Sequence, residues 1–368
     1  MPVKGEALQS PLRARGFVAR PFSRVIAVVD GPNPSFDYYL APRFGPQGPD
    51  LVMAELRARP SRVAAELFED ALLLFCRYVT PDWLQAIESC RGIAGVALFI
   101  DDDLCALAAD GEVPAKHRLR YWWHGQAQWS RLARKLDLLL VSTPELARRH
   151  APALPRELPA LASPVDLVRK DRGGEGFTVA YHASVIHGGE HRWLMPLARE
   201  LLAAAPGLRF EVTARSRVAA QWSSCRGVTV RPPWPWPEYR AANAGRGIDL
   251  MLAPLLPTPA NAARSWTKRI DAARAGAALL VSDASVYRPS PEEQDLGMRV
   301  ELNVEAWCEA ILALAGDRLR LRQLARLNHA AVSAWGDTAA PLFEPNGDGR
   351  WRLAPRVPQG ATGATQVL

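Results

Sequence analysis

RSWTKRIDAARAGAALLVSDASVYR occupies residues 264–288, and its reading decides the fold. Ser265 is a good N-cap, a helical run follows over 266–275, and Gly276 stands where a left-handed C-terminal residue belongs. The apolar run 277–281 then reads as a buried strand. Lys268 and Asp271 are three apart and share one helix face, near an N-terminal end whose free N–H groups and partial positive charge suit a phosphate. A carboxylate one turn further in can accept hydrogen bonds from the vicinal diol of a ribose. One short segment thus offers a phosphate site and a sugar-hydroxyl acceptor.

Asp271 lies five residues before Gly276 in DAARAGAALLVSD. On that spacing the segment resembles the donor-binding helix of bacterial two-domain GT-B glycosyltransferases of the group 1, family-4-like kind. In them an acidic residue five before the Gly of an E-A-x-A-x-G-x-P-V-V pattern holds the nucleotide ribose. The chain departs from the pattern in two ways: an Asp replaces the usual Glu, and Ala263, eight residues before Asp271, stands where the first Glu of the E-x7-E pair belongs. The retention of anomeric configuration associated with that pair is therefore not carried over.

A chain of 368 residues suits two domains. No run of about twenty apolar residues exists to span a membrane, and the N-terminus has no apolar h-region of a signal peptide, so a cytoplasmic location is expected. The five cysteines are odd in number and scattered, without a C-x-x-C pair, so they read as buried free thiols. The net charge of +7 comes mostly from dispersed Arg, with five Lys and no concentrated basic tract, which disfavours nucleic acid. It favours anionic substrates or an anionic membrane surface.

The first half alternates strand and helix. Residues 1–23 read as a lead-in, 25–29 as the first strand, and 31–35 (GPNPS) as a turn-rich loop able to approach a ligand. A helical stretch over 60–70, a strand over 71–79, a helix over 81–90 and a strand over 96–100 follow, giving a parallel sheet covered on both faces. Ligands gather at the carboxyl ends of such strands, where Asp101, Asp102 and Asp103 fall. These carboxylates have three readings: a D-x-D metal site of the GT-A type, an acceptor-orienting or basic group facing a cleft, or a helix N-cap cluster. His117 to Lys135 reads as one long helix, its Trp pair either stacking a sugar or packing between layers. In residues 137–147, D-x-x-x-V-S-T-P-x-L-A matches the last strand and helix of the family's N-terminal domain.

The second half opens with a strand over 177–181 and the loop HASVIHGG. In the resembled family this loop contacts the donor diphosphate, and His182, Ser184 and His187 take those places here. Either histidine can instead be a structural hydrogen-bonder, but His182 immediately follows the strand, which favours a functional place for it. A strand over 208–213, a short one over 228–230 and a Pro–Trp loop follow. Trp234 or Trp236 can stack on a base there or simply pack. After the strand 250–253, the cations Arg264 and Lys268 lead as phosphate candidates, with Asn261 and Ser265 beside them. Helices over 305–334 close the domain.

The resulting reading is an α/β protein of GT-B architecture, two Rossmann-like domains with parallel sheets facing a central cleft. Its divisions are a lead-in over 1–23, an acceptor-side domain over 24–160, a linker over 161–172, a donor-side domain over 173–335 and a poorly ordered tail over 336–368. The resemblance implies transfer of a sugar from a nucleotide-diphospho-sugar to a glycan or lipid-linked acceptor, as in surface-polysaccharide assembly, without metal or resident cofactor. Asp101, Asp103 and His182 are the catalytic candidates. Ser184, Arg264, Ser265, Lys268, Asp271 and Trp234 are assigned to the donor, and Gly31, Asn33 and Asp102 to the acceptor. Peripheral contact with the inner face of an anionic membrane is a further expectation. A silent sugar-nucleotide binder, a sugar-nucleotide epimerase and the GT-A enzyme remain as alternatives.

Overall fold

Strands such as ALLLFC and GVALFI carry no polar alternation, so the sheet they form must be covered on both faces. The computed structural model describes residues 12–14, 20–163, 167 and 176–355. In it, β1 (Arg24–Val29), β2 (Asp50–Glu55), β3 (Ala71–Cys76), β4 (Gly95–Ile100), β5 (Leu138–Val141) and β6 (Arg156–Glu157) form a parallel sheet ordered β2-β1-β3-β4-β5-β6. The strands β7 (Phe177–Tyr181), β8 (Leu208–Thr213), β9 (Val228–Arg231), β10 (Leu250–Ala253), β11 (Ala278–Ser282) and β12 (Arg299–Val300) form a second parallel sheet, ordered β12-β11-β10-β7-β8-β9.

Each order reverses once, between β1 and β3 in the first sheet and between β7 and β10 in the second. Such switch points open a crevice outside the strands' carboxyl ends. The two sheets share apolar packing beside these crevices. Ile270 and Ala273, on the helix Thr267–Ala275, join the cluster of Val25, Ala27, Leu72 and Leu74, while Ala260 and Ala263 join the cluster on the other face of the first sheet.

Several local readings carry through. Gly276 closes the helix with φ +69°, Thr143 accepts from the Leu146 amide to cap Pro144–Arg149, and the helix expected over 117–135 runs from Ala115 to Leu132 with a wider turn at Trp122–Gln126.

Others are corrected. The expected helix over 60–70 is two 3₁₀ turns, Pro60–Arg62 and Ala65–Phe68, and the unread β2 precedes it. β2 is an edge strand whose apolar run, Leu51–Ala54, is only four residues long and largely open to solvent, a weaker signal than the six-residue runs of β3 and β4. The Pro–Trp loop contains a helix, Trp236–Asn243. Ser265 does not cap the 267–275 helix, whose N-cap position is Trp266 without a side-chain bond.

The last helix runs Arg318–Thr338, and the expected tail over 336–368 instead forms a hairpin, β13 (Phe343–Pro345) with β14 (Trp351–Leu353). Leu342, Phe343 and Leu353 are buried against the first sheet, and Phe22 bridges to Trp351. Residues 356–368 of that tail lie outside the described residues, as do 1–11 and 15–19 of the lead-in and 164–166 and 168–172 of the linker.

Candidate functional site

The loops leaving β1, β3, β4, β7 and β10 converge on a cavity of about 420 Å³. Asn33, Ser35, Arg77, Asp101 and Asp102 reach it from the first sheet, and Ser184, Arg264 and Ser265 from the second. Both switch points therefore open onto one cleft.

At the end of β4 the three aspartates part company. Asp101 accepts from the Ser35 hydroxyl at 2.6 Å and pairs with Arg77 at 3.0 Å. Asp102 accepts from Arg77 at 2.8 Å and from Arg264 at 2.9 Å, which ties the first sheet to the second across the cleft. Asp103 turns away and does not line the cavity. It caps Leu104–Ala109 through the Ala106 amide at 2.8 Å and pairs with Arg149. The capping reading holds for Asp103 alone, and the catalytic role expected of it has no geometric support.

Electrostatics divide the remaining two. Burial pushes the Asp101 carboxyl up, with Arg77 opposing and the neighbouring Asp102 adding to the rise. Burial would raise Asp102 as well, but Arg264 and Arg77 hold it below the usual carboxylate range. One carboxyl poised to take a proton beside one kept ionised is an arrangement suited to acid–base work. Arg77 has φ +70°, a left-handed backbone that costs a residue other than glycine about 1–3 kcal/mol, and its amide is fixed on Phe99 O at 2.7 Å.

On the second sheet the expectations separate. Ser184, Arg264 and Ser265 line the cavity, and the Ser265 hydroxyl meets that of Tyr39 from the facing domain. The His182 ring does not line it. Nε2 lies 3.0 Å from Glu211 and Nδ1 3.4 Å from the Tyr239 hydroxyl, with the side chain 1% exposed. Burial lowers its pKa although Glu211 acts the other way. The ring is a structural hydrogen-bonder, while the His182 carbonyl accepts from Lys268. Trp234 packs edge-on to that ring at 6.4 Å, under the Arg246 guanidinium, and lies away from the cavity. Gly31 turns the β1 loop at φ +69°, letting Asn33 Oδ1 accept from the Phe36 amide at 2.9 Å.

Asp271 is 7% exposed, beside Lys268 at 3.4 Å and Arg274 at 3.1 Å. The Tyr38 hydroxyl of the first domain donates to its Oδ1 at 2.5 Å. Sequence reasoning missed Tyr38, Tyr39 and Arg77, while Ser35 belongs to the 31–35 loop read as able to approach a ligand. For Arg77 a signal existed, because it directly follows β3, which borders the switch point. For the two tyrosines none did, since SFDYYL has neither strand nor helix periodicity.

Two six-stranded parallel sheets with their switch points on one cleft define the GT-B fold, which excludes the single-sheet GT-A alternative. The chain is similar to the sucrose-phosphate synthase structure from Thermosynechococcus elongatus, with a TM-score of 0.54, 13% identity, and 85% of this chain and 94% of that one covered. It is likewise similar to the E. coli trehalose-6-phosphate structure bound with UDP-2-fluoro glucose, with a TM-score of 0.51, 11% identity, and coverage of 86% and 97%. A weaker likeness, to TarM, has a TM-score of 0.48 and 11% identity, over 74% of this chain and 53% of TarM, so the chain spans about half of TarM's length. No family model matches the sequence. No curated protein matches it either.

Proposed function

We propose that this chain is a glycosyltransferase moving a sugar from a nucleotide-diphospho-sugar to a hydroxyl of a glycan or lipid-linked acceptor. The observation that carries the reading is the Arg77–Asp101–Asp102–Arg264 network, set where the two switch points of a GT-B fold meet. The acceptor hydroxyl attacks the anomeric carbon, the bond from that carbon to the diphosphate oxygen breaks, and its electron pair leaves with the nucleotide. Arg264 and Lys268 stabilise the charge gathering on the diphosphate, a role that needs no metal. Asp101 takes the acceptor proton, while Ser184 and Ser265 offer hydroxyls to the donor. Asp271 receives the ribose diol.

The working place we propose is the inner face of an anionic membrane. Among the described residues no helix is long and apolar enough to cross one. Residues 115–136 hold six cations and no acid, and on their outer side Leu119, Trp122 and Trp123 are 62%, 46% and 47% exposed. An aromatic pair set among cations is suited to an anionic headgroup layer. The interlayer packing open to that Trp pair in the sequence is not where it sits.

The test of the transfer reading is thermal shift against a panel of nucleotide-sugars, with and without EDTA, followed by product analysis with candidate acceptors. Stabilisation by one donor that survives EDTA, and disappears in Asp271→Ala, supports it. No shift with any nucleotide overturns it. A second reading, donor binding without transfer, is favoured by Ala263. The position of the missing first Glu is fully buried in the first domain's core, its carbonyl held by Thr143 at 3.0 Å. Donor binding with neither transfer nor hydrolysis would select it.

A further inference from the structure

The carboxylate assigned to the ribose is already occupied, and by a residue of the opposite domain. Tyr38 sits in the five-residue turn Phe36–Leu40, which leaves the β1 loop and crosses the cleft. Its hydroxyl donates to Asp271 at 2.5 Å and accepts from Arg274 at 3.0 Å. Its ring meets Trp236 edge-on at 5.2 Å, with the Arg274 guanidinium 5.4 Å from the ring centre. Next to it, Asp37 accepts from the Trp236 indole at 2.8 Å and from Arg240 at 2.6 Å. Tyr38 is 2% exposed, so this is a seated side chain.

A phenol donating to one carboxylate oxygen while taking a bond from a neighbouring arginine makes the interactions a ribose hydroxyl would make. An aromatic ring seated against Trp236 likewise takes surface on which a base could stack. We propose that Phe36–Leu40 is a plug in the donor site, with Tyr38 standing in for the nucleoside, so that a nucleoside diphosphate binds only by displacing it. The inference rests on the reading of Asp271 as the ribose acceptor. Displacement uncovers Asp271 and Arg274 together and breaks the Asp37 bonds to Trp236 and Arg240. Donor entry is thereby coupled to movement of the β1 loop, the same loop that carries Asn33 and Ser35 into the acceptor side of the cleft. The competition lowers apparent donor affinity by the fraction of molecules that have the plug withdrawn.

The experiment is calorimetric titration of the full chain with UDP and with GDP, comparing wild type, Tyr38→Phe, Asp37→Ala and Asp271→Asn. Tyr38→Phe keeps the ring packing and removes only the hydroxyl. For a hydrogen bond to a charged group, the dissociation constant of the bound nucleotide should fall by about tenfold or more. Asp37→Ala should shift it in the same direction, and Asp271→Asn should abolish binding. Hydrogen exchange at the amides of residues 36–40 should quicken when nucleotide is added. Unchanged or weaker binding by Tyr38→Phe overturns the plug. If Asp271→Asn still loses binding in that case, the donor reading stands without it. If no variant binds either nucleotide, or Asp271→Asn binds like wild type, the donor reading falls and takes the plug with it.

Discussion

Arg264 donates to Asp102 at 2.9 Å across the cleft, joining the loop after β10 to the end of β4, 162 residues earlier in the chain. Arg77 holds the other oxygen of the same carboxylate. The interaction gives Arg264 a fixed direction before any substrate arrives, and it keeps Asp102 ionised beside a neighbour whose carboxyl is pushed up. Preorganised charge of this kind stabilises a leaving diphosphate without reorganisation cost at the moment of reaction.

Replacing Arg264 tests that role. Arg264→Ala should lower kcat/KM by about ten- to a hundredfold, the loss expected for a hydrogen bond to a charged group. Arg264→Lys should recover only part of the loss, because an ammonium cannot reproduce the guanidinium fork. Steady-state kinetics with the donor identified by thermal shift measure both.

Asp101 predicts a pH dependence. As a base it must be deprotonated, and its raised pKa moves the acid limb of kcat/KM above the ordinary carboxylate range. Asp101→Asn should remove that limb and leave a rate lower by about 10²–10⁴-fold. The linkage to stability has the opposite sign from that of a salt-bridged carboxylate. The fold favours protonated Asp101, so its stabilising contribution is present at low pH and is lost as pH rises from the unfolded-state pKa through the folded one. A pH–rate profile that Asp101→Asn leaves unaltered in shape would rule out the base assignment.

The exposed Trp pair predicts binding to anionic vesicles. Wild type should float with vesicles containing phosphatidylglycerol and not with pure phosphatidylcholine, and rising salt should release it as surface charge is screened. Trp122→Ser with Trp123→Ser should abolish flotation with little change in Tm, because both rings are half exposed. Equal flotation of the double variant removes this surface from the account.

Stability of the helix Thr267–Ala275 should hinge on Arg269 and Glu293. Each is 3% exposed, and they meet through two bonds of 2.8 and 2.7 Å. Glu293 also closes a capping box with Ser290. Glu293→Ala leaves a buried guanidinium uncompensated and should cost about 3–5 kcal/mol in urea denaturation.

Local features were legible because their causes lie within a few residues. The apolar runs of β3, β4 and β10 read as buried strands, Gly276 as a left-handed cap and Thr143-Pro144 as a helix start. The place of Asp101, Asp102 and Ser184 on the cleft was legible for a related reason. Each follows a strand, and the carboxyl ends of parallel strands are where ligands collect. The failures share a cause as well. Ser265 had the chemistry of an N-cap, but Tyr39 of the other domain engages its hydroxyl, so a tertiary partner overrode a local preference. His182 follows a strand just as Ser184 does, yet Glu211 on the adjacent β8 draws its ring inward.

Periodicity and turn chemistry in the sequence alone determined that this chain builds two parallel, doubly covered sheets, because both are written in neighbouring residues. Which side chains face one another across the cleft was decided only by the tertiary structure. Tyr38 and Asp271 are 233 residues apart, and no local pattern relates them. Their meeting depends on how the turn leaving β1 and the helix after β10 are placed when the two sheets dock through Ile270 and Ala273. The assigned donor carboxylate was thus readable in one dimension, and its occupant only in three.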